Sequence, residues 1–254
     1  MKDNAPVLEV RNVSKYFGGL TAVDNVSLSV YPGEVVALLG DNGAGKSTLT
    51  KCISGVYAQD EGEILFNGKP LSNATPSQIR DIGIETIYQD LALAEKLDVG
   101  ANVFLGKEKM KRFMGVIPVT DDKFMQQEAE KVLDRLDIHI PNLSQKLVRL
   151  SGGQRQAVAI ARAIYWDAKL VMMDEPTAAL GVPEQRKVLS LVKSLREEGI
   201  PVVIISHNMR DVMEVADRMI VLLRGRKVAN ISRAEASEEL IVKYIMGSPD
   251  VIGQ

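Results

Sequence analysis

Gly40-Asp41-Asn42-Gly43-Ala44-Gly45-Lys46-Ser47 fits the eight-position pattern G-x-x-x-x-G-K-[ST], and its flanks give the pattern meaning. The preceding Val35-Val36-Ala37-Leu38-Leu39 is a short, continuous apolar run that reads as a buried strand, and Lys46 to Ser54 reads as a helix. A strand, a glycine-rich turn and a helix N-terminus, in that order, make a cradle for phosphate. Glycines let the backbone wrap the anion with its N–H groups turned inward, and the helix dipole favours negative charge at that end. Lys46 then offers a positive charge to the β- and γ-phosphates of a nucleoside triphosphate, and the Ser47 hydroxyl suits Mg²⁺. The flanks set this stretch apart from a glycine-rich helix cap.

Working outward, residues 7–39 alternate like strands, with VLEV, then VSLSVY after a polar turn at Asp24-Asn25, then EVVALL. GEILFNGKPL carries Asn67-Gly68, a two-residue hairpin signal. From about 95 to 150 the chain becomes rich in Lys, Glu, Asp and Met, with helical spacing in KFMQQEAEKVLDRLDI. That stretch predicts a mostly helical insertion. Beyond it come a helix from about Gly153, the strand KLVMMD, a helix from about Pro183 to Glu198 and the strand PVVIIS. A helix at Asn208 to Ala216, the strand RMIVLL, a hairpin at Arg224-Gly225 and a closing helix from Ala236 to Met246 complete the chain. Short apolar strands separated by helices predict an α/β fold with a mostly parallel sheet, covering helices and an antiparallel portion.

The 254 residues suit one such core with an appended subdomain. The expected division is about 1–94 and 151–254 for the core and about 95–150 for the helical subdomain. With 46% hydrophobic and 25% charged residues the composition is that of an ordinary globular protein. A net charge of −2 argues against a surface that tracks nucleic-acid phosphates. MKDNAPVLEVRNV does not read as a signal peptide, and apolar runs such as Val202 to Ile205 are far shorter than the roughly 20 residues a membrane-crossing helix needs. Cys52 is the single cysteine; it falls on the apolar side of the helix after the cradle and reads as a core residue. His139, in DIHIP, reads as structural.

Leu170-Val171-Met172-Met173 ends in Asp174-Glu175. Two carboxylates at the exit of a buried strand are costly without partners, and in a parallel sheet that exit shares an edge with the phosphate loop. Asp174 is placed on the Mg²⁺ side, and Glu175 is placed to polarise an attacking water. Ser151-Gly152-Gly153-Gln154 precedes a helical run, and Ser151 with Gln154 forms a capping-box pattern.

With these motifs together, the chain resembles the ATP-binding-cassette (ABC) ATPases over nearly its whole length, as a single ABC ATPase domain spanning 1–254 with the P-loop NTPase, RecA-like core of that family. The resemblance implies that ATP is held by the loop from Gly40 through Asp41, Asn42, Gly43, Ala44 and Gly45 to Lys46, Ser47 and Thr48. Phe17, with Tyr16 the neighbouring alternative, would stack on adenine. Leu150-Ser151-Gly152-Gly153-Gln154 matches the family signature, which acts across a head-to-tail dimer on the other subunit's γ-phosphate. Gln89 matches the glutamine that contacts Mg²⁺ and water and relays the nucleotide state to membrane partners, and His207 matches the switch histidine near the γ-phosphate. At Gly181 most relatives carry Asp, which helps couple the two sites of the dimer.

GDNGAGKSTL, YQDLALAEKLDVGANVFLG and PTAALGV resemble the monosaccharide-importer branch. That resemblance implies a homodimer on transmembrane permease subunits, served by a periplasmic-type substrate-binding protein, at the cytoplasmic face of the inner membrane and without a nucleic-acid partner. Residues 92–106 are the expected docking segment for a permease helix. A soluble ABC ATPase of translation or DNA repair is the alternative, but it would bring paired cassettes, a long coiled-coil insertion or basic extensions. A nucleotide-gated clamp with little turnover, motivated by Gly181, is the other.

Overall fold

The computed structural model describes residues 5–113, 115–136, 138–178 and 180–252. Strands β1 (Leu8–Phe17) and β2 (Leu20–Val30) pair as a hairpin, and β3 (Val35–Leu39) runs into helix α1 (Lys46–Ile53). β4 (Glu61–Phe66) turns back into β5 (Lys69–Pro70) through Asn67 and Gly68, whose φ angles of 49° and 72° are the left-handed pair that a two-residue hairpin requires. Then come α2 (Pro76–Asp81), begun by a capping box at Thr75, and β6 (Ile84–Ile87). The middle of the chain holds α3 (Val99–Val103), β7 (Met110–Phe113), β8 (Ile117–Thr120), α4 (Asp122–Arg135) and α5 (Gly152–Tyr165). The remainder is β9 (Leu170–Asp174), α6 (Val182–Glu197), β10 (Val202–Ile205), α7 (Met209–Val215), β11 (Arg218–Leu223), β12 (Arg226–Ser232), α8 (Glu238–Met246) and α9 (Pro249–Ile252).

Two compact units emerge. The first comprises residues up to Thr86, Lys169–Pro176 and the chain from Val192 onward; the second comprises Ile87–Ala168 and Thr177–Leu191. In the first, β2-β1-β4-β5 form an antiparallel sheet, and a six-stranded sheet runs in the order β12-β11-β3-β10-β9-β6. Within it β11, β3, β10 and β9 are parallel and β12 is antiparallel at the edge. Val36 and Leu38 of β3 join Leu49, Cys52 and Ile53 of α1 and Leu8, Val10 and Val26 of the antiparallel sheet in one core. Val35, Ala37 and Leu39, which alternate onto the opposite face, are buried too. Burial on both faces is the reason β3 is a continuous apolar run. Cys52 lies in this core, and burial pushes its thiol up to about 11, which keeps it protonated and unreactive.

The second unit is built on α3, α4 and α5, which pack on one another. Phe104, fully buried, meets the rings of Phe124, Tyr165 and Trp166 at centroid distances of 6.3, 4.5 and 5.7 Å. The Trp166 indole donates to the Val103 carbonyl at 3.0 Å. Asn102 is also fully buried. It accepts from the Ala94 N–H at 2.7 Å and donates to the Ala94 and Asp98 carbonyls at 3.0 and 2.8 Å, so its amide is satisfied and ties the segment before α3 to the helix. The β7–β8 hairpin stands inside the stretch expected to be mostly helical, and this unit takes in α5 because that helix packs on α3 and α4.

Candidate active site

The register of the parallel sheet sets the site. Leu38 of β3 lies beside Ile205 of β10, and Ile205 lies beside Asp174 of β9. Three strands separated in sequence therefore end in one row, and the turns that leave them carry Gly40 to Gly45, Glu175 and His207 at the same edge.

The loop fits its place closely. Gly40 (φ 149°) approaches so near that a side-chain carbon there would lie 2.4 Å from the Leu222 carbonyl oxygen, and one at Gly45 (φ 103°) would lie 2.5 Å from that of Ala22. Only glycine satisfies both the backbone angle and the space. The Lys46 ammonium donates to the carbonyls of Gly40 and Asp41 at 2.8 and 3.0 Å, which points it back over the loop. Burial lowers its pKa, opposed by the negative charges of Glu175, Asp174 and Asp41. An open cleft of about 270 Å³ follows the loop from Asn42 to Thr48 and is bounded on the other side by Phe17, Leu20, Thr21 and Ala22. Phe17 is 41% exposed and borders this cleft, whereas Tyr16 alternates to the other face of β1. Tyr57 meets the Phe17 ring edge-on at 5.2 Å, and the Lys15 ammonium lies 5.4 Å from its centroid. Thr21 and Ala22 had no signal in the sequence, because they reach the cleft only through the folding of the antiparallel sheet.

Asp174 ends β9 with its carboxyl pKa raised, first by burial and then by the charge of Glu175, against the lowering effect of Lys46 and Lys51. Glu175 follows in the left-handed region (φ 51°), its N–H donating to the Ile205 carbonyl at 2.8 Å. A non-glycine residue held there is strained, as functional turns often are. The turn aims the Glu175 carboxylate at His207, with Oε1 2.9 Å from Nδ1. His207 is largely exposed, and Glu175 is only 17% exposed. The first unit thus brings together Phe17, the loop from Gly40 to Thr48, Asp174, Glu175 and His207.

Gln89 and the Ser151 segment belong to the second unit. Gln89 is exposed on the bend after β6. At the start of α5, Ser151 Oγ accepts from the Gln154 N–H at 3.3 Å, and Gln154 Oε1 accepts from the Ser151 N–H at 3.0 Å, a complete capping box. The intervening glycines have a packing reason. A side-chain carbon at Gly152 would lie 2.5 Å from Leu180 Cδ2, and one at Gly153 would lie 2.9 Å from Glu184 Cβ.

A family model described as ABC transporter matches residues 23–178. The chain belongs to the ABC transporter family. As an ABC cassette it binds ATP and hydrolyses it. It is 49% identical to the xylose/arabinose import ATP-binding protein XylG of Sulfolobus acidocaldarius, over 94% of this chain and 93% of that protein. It is 44% identical to the fructose import ATP-binding protein FrcA of Rhizobium meliloti, over 96% and 95%. Against the ribose import ATP-binding protein RbsA 2 of Escherichia coli O157:H7 the identity is 41%, and the match spans 97% of this chain but 48% of that protein. Among solved structures, the ADP conformation of an ATP-binding cassette of an ABC transporter aligns with a TM-score of 0.80 at 29% identity, covering 98% of both chains. A dimeric cassette in a post-hydrolysis state, bound to ADP and Pi, aligns at 0.74 and 27% identity, covering 89% of this chain and 98% of that one.

Proposed function

We propose that this ABC ATPase energises the import of a monosaccharide, working as a nucleotide-sandwich dimer on transmembrane permease subunits. The carrying observation is the single sheet edge at which the phosphate loop, Asp174, Glu175 and His207 meet. The import of sugars is the role named for relatives that this chain matches over nearly their full length.

In this reading Lys46 exchanges its bonds to the Gly40 and Asp41 carbonyls for phosphate oxygens, and the loop N–H groups of Gly40 to Thr48 cradle the same anion. Phe17 stacks on the adenine. Glu175 is the base that polarises water, and His207, in contact with it at 2.9 Å, fixes the carboxylate's orientation. Ser47, Asp174 and Gln89 would hold Mg²⁺. Among the described residues no group of three or more His, Cys, Asp and Glu gathers as an all-protein cage, which suits an ion held by a hydroxyl, a carboxylate and substrate phosphates. Burial and the neighbouring Glu175 raise the Asp174 carboxyl, and a cation held there would offset both. When bound, the ion supplies neutralisation of the charge that develops on the phosphates. Ser151, Gly152, Gly153 and Gln154, at the N-terminus of α5, close on the γ-phosphate held by a second copy; the pairing of two cassettes is supported by the dimeric relative.

Among the described residues no helix is long and apolar enough to cross a membrane. The proposal therefore assigns the membrane span to partners that dock on residues 92–106, and it places the chain peripherally at the cytoplasmic face of the inner membrane. The decisive experiment is recovery from detergent extracts. The expected result is copurification with hydrophobic permease subunits, ATPase activity stimulated by a periplasmic-type binding protein carrying a monosaccharide, and crosslinks from cysteines across 92–106 to a permease loop. Recovery with only ribosomal or DNA-associated partners overturns the importer reading.

A further inference from the structure

The hairpin β7–β8 is a two-stranded sheet with no third strand among the described residues, a form that is marginal by itself in water. It is also exposed in an unusual way. Met110, Val116 and Ile117 are 58%, 78% and 52% exposed. Cations crowd the approach to this apolar tip. Leu105 to Thr120 carries Lys107, Lys109, Lys111 and Arg112 against the single acid Glu108, a net of +3 in a chain whose total is −2.

The arrangement is ordered from base to tip. Lys107 and Lys109 lie 4.6 and 5.9 Å from the Trp166 ring centroid, which roots the segment on the end of α5. Lys111 is tied to Asp121 at 3.1 Å. Arg112 faces the same side of the hairpin as Met110, through the pairs Arg112 with Pro118 and Met110 with Thr120. Val116 and Ile117 follow at the turn, beyond all four cations. An acidic protein loop would pair with the cations but would have no use for an apolar tip. A bilayer surface uses both, since apolar residues enter the boundary between headgroups and acyl chains while Lys and Arg stay among anionic headgroups.

We propose that the β7–β8 hairpin is a contact for anionic phospholipid, which seats the cassette against the membrane beside its permease. It begins just beyond the docking segment 92–106, so its biological setting rests on the importer reading. The binding itself does not, and a test with vesicles needs no permease. Sedimentation of the purified full chain with phosphatidylcholine vesicles, with and without phosphatidylglycerol, reads it directly. The chain should pellet with the anionic vesicles alone and be released by salt. Lys109→Gln with Arg112→Gln should weaken binding about five-fold per cation removed. Val116→Ser with Ile117→Ser should weaken it while leaving the salt dependence in place, and unchanged ATPase activity in lipid-free solution shows that each variant is folded. Absence of pelleting by the folded parent chain overturns the proposal. So does a charge variant that pellets like the parent yet no longer copurifies with permease, which would assign the face to a protein loop. Failure of the importer reading shows separately, in copurification of the parent chain.

Discussion

Replacing Glu175 by Gln isolates one charge. Gln keeps the length of the side chain and a carbonyl oxygen, so a protonated Nδ1 of His207 can still donate across the 2.9 Å contact. The backbone need not move either, because the strain at φ 51° and the bond from the residue's N–H to Ile205 are common to both side chains. What disappears is the negative charge that draws a proton from water. Loss of a positioned general base costs roughly 10² to 10⁴ in rate, which is about 3 to 5 kcal/mol of barrier. Binding should move the other way. The Glu175 charge raises the pKa of both Lys46 and Asp174, so removing it lessens the repulsion met by an incoming triphosphate, and ATP affinity should hold or tighten. Single-turnover phosphate release and equilibrium nucleotide binding separate the two effects, and sizing with ATP should show a trapped dimer. Hydrolysis at the parental rate refutes the assignment. A rate loss accounted for entirely by weaker ATP binding refutes it equally.

Lys46→Ala should remove most ATP binding and turnover, since no uncharged side chain replaces the cation at the loop; near-native affinity in a folded variant would count against the cradle. Gly45→Ala and Gly43→Ala make an internal comparison. Both glycines have positive φ, but a side-chain carbon meets a carbonyl at 2.5 Å in the first and open space in the second, so Gly43→Ala should cost about 1 to 2 kcal/mol in denaturant unfolding and Gly45→Ala distinctly more. Asp174→Asn should stabilise the chain at neutral pH. Burial raises the folded carboxyl above its unfolded value, so the folded state holds the extra proton and stability falls as pH rises through that window. Thermal unfolding from acid to neutral pH should show the parent losing this increment and the Asn variant keeping it; identical pH profiles would remove the argument. Gly181→Asp should alter the cooperativity of ATP turnover more than nucleotide affinity, with Gly181→Asn as the uncharged control, and unchanged cooperativity in a folded variant rejects a role for position 181.

The cradle was legible because its determinants are local. A run buried on both faces, glycines at special backbone angles and a helix start all fall within Val35 to Ile53. The carboxylates at the end of β9 were legible for a different reason, since a parallel sheet brings strand exits to one edge however far apart they lie in sequence. The contact of Glu175 with His207 depends on the register of Ile205 against Asp174, and no spacing in the sequence encodes a register. The β7–β8 hairpin escaped because its strands have four residues each and its turn lacks an Asn-Gly or Asp-Gly pair, so it reads as part of the mostly helical stretch around it. Likewise the grouping of α5 with α3 and α4 is a tertiary effect, fixed where Phe104 meets Tyr165 and Trp166.

The second unit also gives the departure at Gly181 a physical reach. A side-chain carbon at Gly181 would lie 2.8 Å from Glu184 Oε2, and the Cβ of the same glutamate lies 2.9 Å from the position a side chain would take at Gly153. Glu184 therefore stands between residue 181 and the glycines that let Ser151 cap α5. An aspartate at this position would push against a like charge, and Glu184 could yield only by turning its carboxylate outward or by pressing on the turn at Gly153. The first response leaves the Ser151 to Gln154 box as it is; the second shifts the N–H groups at the start of α5. An effect on coupling between sites thus requires the second response, and it predicts that adding Glu184→Ala to both the parent chain and the Gly181→Asp variant abolishes the difference in cooperativity between them.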